Sequence, residues 1–452
     1  MNNVEKLRNS LQKKEAVVAI MGLGYVGLPL AVSFAEKDFQ VIGYDPSERK
    51  IDLVNRGESD IMDISSERLK QLVDTKKLEA TLNPAELKRA DAIIICVPTP
   101  LTKSYEPDIS YIVSAVDTIR ANMSSNTIVV LESTTYPGTS KELIYAPIAS
   151  DGWKLDEDFY VCYSPERVDP GNQTYQTVNT PKVLGGMTPH AMDLGTALYG
   201  QVIDQVIPVA STEVAEMSKL LENTFRSVNI AFINEMAMLC EKLNIDVWET
   251  IEASSTKPFG FMRFNPGPGI GGHCIPLDPI YLSWKAKESN FFSRFIELAQ
   301  ETNQQMPENV VTKAMKTLNG QQKSLNGSRV LLLGMAYKEN IDDLRESPSI
   351  PVFENLRKAG AIVSFCDPFA TAYRAEDGEI HKTIPLVYED FGKYDLVIVL
   401  TCHDVFDKEQ IMTHSQLILD TKNVMGKSSS KVIRLGGGFK QENLGVKELV
   451  TL

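Results

Sequence analysis

The chain has 452 residues, of which 43% are hydrophobic and 23% are charged. These values are typical of soluble globular proteins, and the length predicts about three domains, which excludes one small module or a mainly disordered chain. Acidic residues outnumber basic ones by 59 to 46, and the resulting net charge of −13 argues against a general affinity for nucleic acid or for an anionic membrane.

Two features bear on cellular location. The six cysteines form neither a CxxC pair nor a cluster at metal-ligand spacing, so we expect no metal site and reduced thiols in a cytoplasmic protein. Residues 16–35 carry no charge and have the length of a membrane span. Gly22, Gly24, Gly27 and Pro29 interrupt this segment, which favours a strand followed by a turn.

Short β-branched runs alternate with amphipathic stretches in two parts of the chain, a pattern typical of parallel sheets covered by helices. The predicted strands of the first part are Val17–Met21, Val41–Tyr44, Ala92–Val97, Thr127–Glu132 and Tyr160–Tyr163. Those of the second part are Arg329–Leu333, Ile362–Cys366, Leu396–Leu400 and Leu417–Asp420. We therefore predict an α/β protein with two Rossmann-like parallel-sheet domains.

A long helix is predicted between these two parts. Ser211 to Leu243 contains neither proline nor glycine, and its apolar residues recur every three or four positions. We expect that apolar face to lie in the core: Val214, Met217, Leu221, Phe225, Val228, Phe232, Met236 and Leu239. At about 1.5 Å per residue the helix would extend on the order of 50 Å, more than one small domain requires, so packing against a second subunit is also expected.

The first predicted strand leads into a GxGxxG motif made by Gly22, Gly24 and Gly27, and the second strand ends at Asp45. The glycines would allow a tight turn, close approach of a pyrophosphate and helix packing, while the acid would bind the ribose hydroxyls. The motif therefore predicts a dinucleotide site. Asp45 favours NAD over NADP because a carboxylate repels a 2′-phosphate, although Lys50 lies nearby in the sequence and could weaken that preference.

A second glycine-rich segment, Gly267 to Gly272, precedes His273 and Cys274. Asp278 and Pro279 resemble the cap and first residue of a helix over residues 280–287, which would place Cys274 near its positive end. A thiol in such a place can become a nucleophile.

Polar residues also recur on the long helix and beyond the second sheet's first strand. Glu216, Lys219, Asn223 and Arg226 share one stripe of the helix, where Lys219 and Asn223 could jointly bind an oxygen. A solvated surface is the alternative interpretation. Lys338 follows a predicted strand and could bind phosphate, as could Arg345 in the next loop, unless both are ordinary surface charges.

Taken together, several motifs in one order resemble the UDP-glucose/GDP-mannose dehydrogenase family, from about residue 16 to 440. They are GLGYVGLP from Gly22, VPTP from Val97, ESTTYPG from Glu132, SPERVDPG from Ser164, Lys219 with Asn223, the GGHC loop, and Tyr337-Lys338 with RESP from Arg345. The resemblance implies an NAD-binding domain at 1–208, a central helical domain with a dimerisation helix and the cysteine loop at 209–322, and a UDP-sugar-binding domain at 323–452.

The resemblance implies oxidation of a nucleotide-sugar C6 alcohol to a carboxylate, using two NAD per turnover in a homodimer. Cys274 would form a thiohemiacetal and then a thioester. The implied catalytic residues are Cys274, Lys219, Asn223, Asp278, Glu166 and Thr135. The implied cofactor contacts are Gly22, Gly24, Tyr25, Val26, Gly27, Asp45, Lys50, Pro98, Thr99, Thr135 and Arg345. The implied substrate contacts are Glu166, Arg167, Lys219, Asn223, Arg226, Arg263, Gly271, His273 and Lys338.

Arg167, Pro170 and His273 depart from the UDP-glucose branch and resemble the branch that acts on UDP-N-acetylhexosamines. We favour the gluco over the manno epimer; UDP-galactosamine, UDP-glucose and GDP-mannose remain as further alternatives. Two other kinds of protein stay open: a dehydrogenase of the β-hydroxyacid type, which performs one oxidation and needs no nucleophilic cysteine, and a non-catalytic nucleotide-sensing protein.

Overall fold

The computed structural model describes residues 2–61, 63–102, 104–168, 172, 174–375 and 377–438. The chain divides into two compact units. The first unit comprises Met1–Glu222 and Ile280–Phe291, and the second comprises Asn223–Pro279 and Phe292–Leu452.

The first unit contains an eight-stranded sheet. Its strands are β1 (Val17–Met21), β2 (Gln40–Tyr44), β3 (Leu78–Thr81), β4 (Ala92–Ile95), β5 (Thr127–Leu131), β6 (Phe159–Tyr163), β7 (Lys182–Gly186) and β8 (Val206–Val209). They lie in the order β3-β2-β1-β4-β5-β6-β7-β8. The pairs are parallel except β6 with β7, which is antiparallel. The interior strands are almost wholly apolar because helices cover both faces of the sheet.

The helices of this unit are α1 (Asn3–Lys13), α2 (Gly27–Glu36), α3 (Glu48–Asn55), α4 (Ser66–Asp74), α5 (Ser110–Asn122), α6 (Ala146–Ser150) and α7 (Pro189–Tyr199). A 3-10 helix covers Pro84–Arg89, and a π-helical turn covers Ser140–Tyr145. Helix α2 begins at the third glycine of the GxGxxG motif, directly after β1. Its amino terminus therefore lies at the carboxyl edge of the sheet, where dinucleotides bind in this class of fold.

The second unit contains a five-stranded parallel sheet made of β9 (Arg329–Leu333), β10 (Ile362–Cys366), β13 (Leu396–Val399), β14 (Ile418–Asp420) and β15 (Val432–Arg434), with a separate hairpin of β11 (Ala372–Arg374) and β12 (Ile380–Lys382). The strands of the sheet lie in the order β10-β9-β13-β14-β15. Its helices are α9 (Val247–Ser255), α11 (Arg294–Asn319), α12 (Ser349–Lys358), α13 (Lys408–His414) and a 3-10 helix at Tyr388–Lys393. Two helices continue from one unit into the other: α8 (Thr212–Leu243) and α10 (Asp278–Glu288).

These elements confirm the predicted fold class and every predicted strand, with ends displaced by two residues at most. Strands β3, β7, β8, β11, β12 and β15 were not predicted, since each is short or carries few β-branched residues. In the described part of the chain, no helix combines the length and the apolar character that crossing a membrane requires.

The prediction for the faces of α8 was wrong. Six of the eight apolar residues expected in the core are exposed, among them Leu221 at 59% and Phe232 at 57%. The buried side of the helix instead carries Glu216, Lys219 and Asn223. Hydrophobic periodicity identifies the two faces of a helix, but it assumes that the apolar face is the buried one.

Candidate active site

The glycine motif after β1 has the geometry of a dinucleotide-binding turn. Gly22 has a φ of +95°, and a Cβ there would lie 2.6 Å from the carbonyl oxygen of Cys96. A Cβ on Gly27 would lie 1.8 Å from the carbonyl oxygen of Gly22, so only glycine allows α2 to begin this close to the turn. Around Gly24, by contrast, no described atom outside its own chain neighbours lies within 4 Å of an added Cβ, which leaves the backbone accessible to a ligand.

Asp45 follows β2, the strand next to β1, and its side chain is hydrogen-bonded to the glycine turn. Its carboxylate accepts hydrogen bonds from the backbone N–H of Leu23 and of Ser47, each at 2.9 Å. The side chain is only partly buried, so oxygen lone pairs remain available to ribose hydroxyls. Lys50 is held by Asp60, with Nζ 2.5 Å from the carboxylate oxygen. The open Gly24 and the accessible carboxylate together fit NAD.

The other predicted cofactor contacts differ in their exposure. Tyr25 and Pro98 are exposed and Val26 is half-buried, whereas Thr99 and Thr135 are buried. The carbonyl oxygen of Thr99 accepts a hydrogen bond from Tyr281 Oη at 3.1 Å, and Thr135 Oγ1 donates to Thr139. Arg345 belongs to the second unit, where its guanidinium pairs with Asp343 at 2.6 Å.

The start of α8 is bonded to the loop that follows β5. Lys219 Nζ donates to the hydroxyl of Thr134, next to Thr135. One turn earlier, Glu216 accepts from the backbone N–H of Gly138 at 2.6 Å and of Ser140 at 2.8 Å. Burial raises the pKa of Glu216 to about 7, although these hydrogen bonds oppose the shift. The helix thus fixes both Lys219 and the threonine loop.

In the second unit, the glycine-rich segment packs closely on the end of β9. A Cβ on Gly271 would lie 2.4 Å from the Cβ of Tyr337, and one on Gly272 would lie 2.9 Å from its ring. The backbone N–H of Gly272 also donates to the carbonyl oxygen of Arg345 at 3.2 Å. Gly271 and Gly272 therefore allow the backbone to lie against Tyr337, where a larger residue would collide.

Cys274 lies at the amino terminus of α10, as predicted. Its carbonyl oxygen accepts from the backbone N–H of Leu277 at 3.1 Å and of Asp278 at 2.9 Å. The predicted cap was wrong in position: α10 begins at Asp278 itself, and the Asp278 carboxylate accepts from Asn223 Nδ2 at 2.6 Å. Four of the six cysteines are buried, whereas Cys274 and Cys240 are half-buried.

Both ends of the cysteine loop, which we define as residues 267–278, are held by α8. Asn223 binds Asp278 at the end of the loop, and Asn234 Oδ1 accepts from the backbone N–H of Gly267 at its start, at 3.0 Å. Asn234 Nδ2 in turn donates to Asn303 Oδ1 at 3.0 Å. The buried polar stripe of the helix thus positions this loop, and the alternative of a solvated surface is wrong for Glu216, Lys219 and Asn223.

The predicted substrate contacts fall into two groups. Arg226 and Arg263 are exposed, and Arg263 pairs with Glu252 at 2.9 Å. The more enclosed residues are Glu166, Arg167, Lys219, Asn223, Gly271, His273 and Lys338. Arg167 forms a bidentate pair with Glu222, at 2.8 and 3.2 Å. Pro170 lies outside the described residues.

Three residues at or near these sites were not predicted from the sequence. Lys422 follows β14, and its Nζ would lie 3.5 Å from a Cβ on Gly267, at the start of the cysteine loop. Asn234 continues the polar stripe of α8 eleven residues beyond Asn223. Lys182 begins β7 and its Nζ lies 3.8 Å from Glu166. Helical spacing could have indicated Asn234, and a lysine just after a parallel strand could have indicated Lys422.

Three family models match the chain in succession. Residues 16–203 match the NAD binding domain of the UDP-glucose/GDP-mannose dehydrogenase family. Residues 213–305 match its central domain, and residues 331–427 match its UDP binding domain.

Individual proteins with different named substrates are also similar. A UDP-N-acetyl-D-glucosamine 6-dehydrogenase of Pseudomonas aeruginosa is 35% identical over 87% of this chain and 92% of its own length. A UDP-N-acetyl-D-mannosamine dehydrogenase of Methanococcus vannielii is 33% identical over 94% and 98%. The solved structure of a UDP-D-ManNAc dehydrogenase from Pyrococcus horikoshii aligns with a TM-score of 0.84 at 31% identity, covering 93% of this chain and 99% of that one.

Proposed function

Because the chain belongs to the UDP-glucose/GDP-mannose dehydrogenase family and is an NAD-dependent UDP-sugar dehydrogenase, we propose that it oxidises the C6 alcohol of a UDP-N-acetylhexosamine to a carboxylate. The observation that carries this proposal is the half-buried Cys274 at the start of α10, on a loop that α8 holds at both ends. A single oxidation to an aldehyde would not require a nucleophile fixed in this way.

The first oxidation removes a hydride from C6 and a proton from its hydroxyl group. When bound, NAD accepts a hydride in each of the two oxidations, so one sugar consumes two equivalents. We assign to Lys219 and Asn223 the stabilisation of negative charge that develops on the C6 oxygen. Lys219 is held by Thr134, and Asn223 by Asp278, so little rearrangement of either side chain is needed during the reaction.

The second oxidation uses a covalent intermediate on Cys274. The Sγ thiolate adds to the aldehyde carbon, a C–S bond forms, and the oxygen takes a proton. Loss of hydride from that carbon and of the hydroxyl proton then gives a thioester. We assign the hydrolysis to Glu166 as general base: water forms the new C–O bond, and the C–S bond breaks with its electron pair returning to Sγ. Thr135 and Asp278 would orient the water or transfer protons.

Among the possible sugars, we propose UDP-N-acetylglucosamine as the substrate and the manno epimer as the second candidate. The relatives include proteins named for each of these epimers, and Arg167 and His273 support the hexosamine class over UDP-glucose. The order of the two epimers follows the preference for the gluco form stated from the sequence. The test is kcat/KM for UDP-N-acetylglucosamine, UDP-N-acetylmannosamine and UDP-glucose under saturating NAD. We expect the gluco epimer to exceed the others by about tenfold or more. Faster oxidation of the manno epimer would reverse the assignment, and a UDP-glucose preference would refute the hexosamine class.

We further propose that two copies of the chain associate through the apolar face of α8. The exposed side chains Val214, Met217, Leu221, Phe225, Phe232 and Leu239 recur along this one helix. Such a continuous apolar stripe is typical of a surface that another protein covers. Sedimentation equilibrium should give the dimer mass for the wild type and the monomer mass for Phe232→Glu. Val113→Glu, on the exposed side of α5, is the control and should remain dimeric.

A further inference from the structure

Lys182 is a buried lysine that the catalytic scheme above does not use. Its side chain is 5% exposed and its ammonium group lies 3.0 Å from Glu132 Oε2, a carboxylate with no exposed surface. The hydroxyl group of Tyr199 donates to the other oxygen of Glu132 at 2.5 Å. Glu132 and Lys182 thus form a buried ion pair with no net charge, and Tyr199 holds the Glu132 carboxylate in place.

A third charged group, Glu166, also lies near this ammonium group. Glu166 Oε2 lies 3.8 Å from Lys182 Nζ, while Glu166 Oε1 accepts from the backbone N–H of Arg167 and of Val168, each at 2.7 Å. Burial lowers the pKa of Lys182, but the carboxylates of Glu132 and Glu166 outweigh this effect and the net shift is upward. The lysine therefore remains charged between two acids.

The sheet topology explains how this contact arises. Strand β7 is antiparallel to β6, with Cys162 opposite Gly186 and Tyr163 opposite Gly185. If this register is extended beyond the end of β6, Lys182 comes to lie opposite Glu166. Two further hydrogen bonds continue the pairing: Ser164 Oγ donates to the carbonyl oxygen of Val183 at 2.8 Å, and Arg167 Nη1 donates to that of Pro181 at 2.8 Å. The antiparallel direction of β7 thus places the Lys182 ammonium group close to Glu166.

We propose that Lys182 is a positioning residue: its ammonium group, anchored by Glu132 and Tyr199, orients the Glu166 carboxylate and compensates its charge for thioester hydrolysis. The inference rests on the proposed function, because it concerns the step assigned to Glu166. It predicts a defect confined to hydrolysis, with both hydride transfers preserved. A purely structural lysine would instead affect stability and all steps together.

The decisive variant is the charge-balanced pair Glu132→Gln with Lys182→Met. Lys182→Met alone would leave two carboxylates in the same buried region and could prevent folding, whereas the pair removes one acid together with the lysine. In a rapid-mixing experiment with excess UDP-N-acetylglucosamine and NAD, we expect a burst of two NADH per active site. Steady-state turnover should then be at least about tenfold slower, with little change in KM.

The second readout is the intact mass of the quenched enzyme. The double variant should carry the uronyl thioester on Cys274 during turnover, whereas the wild type should not. Lys313→Met is the matched control: Lys313 is also buried and lies 2.8 Å from Glu241 in the second unit, so its loss should lower stability without thioester accumulation. The single variant Lys182→Arg keeps the positive charge, so it should hydrolyse the thioester faster than the double variant.

The inference is refuted if the double variant turns over like the wild type, or if it slows without accumulating the thioester. The wild type distinguishes this failure from that of the proposed function. If the wild type itself forms fewer than two NADH per sugar, the four-electron scheme is wrong. If it forms two while the double variant accumulates no thioester, only the role of Lys182 is refuted.

Discussion

The two units repeat one local arrangement. Gly22 follows β1 and Asp45 follows β2, just as Gly334 follows β9 and Asp367 follows β10. Each glycine has a positive φ, of +95° and +85°, and each aspartate accepts a backbone N–H from the residue after that glycine. Each aspartate is also followed by proline in the sequence.

The two carboxylates nevertheless differ in what surrounds them. Asp45 is partly exposed, whereas Asp367 is 1% exposed and accepts four backbone N–H groups, from Met335, Ala336, Phe369 and Ala370. His403 lies 3.1 Å from the same carboxylate through Nε2. Because His403 Nδ1 accepts from the backbone N–H of Asn340, Nε2 carries the proton and donates to Asp367.

This comparison shows that an acid after the second strand does not by itself indicate a ribose-binding site. The carboxylate in the first unit retains free acceptor capacity, whereas the one in the second unit is used to hold the loops together. The number of internal donors decides between the two roles, and His403, which comes from beyond β13, supplies the last of them.

Asp367→Asn should destabilise the protein more than any other substitution considered below. The Asp367 carboxylate accepts hydrogen bonds from five donors. An amide in its place lacks the negative charge and would direct an N–H group towards some of these donors. We expect the free energy of unfolding to fall by about 3 to 5 kcal/mol, measured by chemical denaturation. If Asp367→Asn costs less than Asp45→Asn, the structural role assigned to Asp367 is wrong.

The second effect is a pH dependence of stability that has opposite directions in the two units. Burial raises the pKa of Glu216 in the first unit to about 7, from 4.5, so the folded state favours the protonated carboxyl group. The stability that this protonation contributes is lost as the pH rises from 4.5 to 7. Its upper limit is about 3 kcal/mol.

Asp367 in the second unit shows the opposite dependence. Burial would raise its pKa, but hydrogen bonds from His403, Ala336 and Ala370 lower it to about 2, from 3.8. Its contribution to stability is therefore lost as the pH falls from 3.8 to 2.

Unfolding midpoints measured from pH 2 to 8 test this contrast. Glu216→Gln should abolish the decline between pH 4.5 and 7, because an amide does not titrate there. The acid-side loss should persist in this variant. The assignment fails if Glu216→Gln and the wild type show the same slope in the neutral range.

The third effect concerns binding. Asp45→Asn should raise the Kd for NAD about tenfold, because the amide oxygen is a weaker acceptor for ribose hydroxyls than a carboxylate. Its free energy of unfolding should fall by less than about 1 kcal/mol, since the side chain is partly exposed. Isothermal titration gives the Kd. The control is Asp367→Asn, which should bind NAD with unchanged affinity under conditions in which this variant is folded. An unchanged Kd in Asp45→Asn would remove Asp45 from the cofactor site.

Local sequence patterns predicted much of this molecule. The apolar runs gave the interior strands, and the spacing of Gly22, Gly24 and Gly27 before Asp45 indicated the nucleotide turn, because those features depend on neighbours in the chain. The Asp278-Pro279 pair indicated that a helix begins shortly after Cys274. In each case the physical requirement and the residues that meet it lie within one short segment.

Contacts between distant segments were not predictable in the same way. The direction of β7 brings Lys182 to Glu166, and Asn234 reaches Gly267 from another element. The exposed face of α8 reversed an expectation that was based on hydrophobicity alone. Pairing direction and the burial of a polar stripe are tertiary properties, which hydrophobic periodicity does not encode.

The proposed four-electron oxidation through Cys274 is tested by the stoichiometry of the reaction. NADH should be counted per molecule of sugar consumed, with limiting UDP-N-acetylglucosamine and, in parallel, its manno epimer under excess NAD. We expect two NADH per sugar on the accepted epimer. One NADH per sugar, with the aldehyde as product, would contradict the thioester role of Cys274.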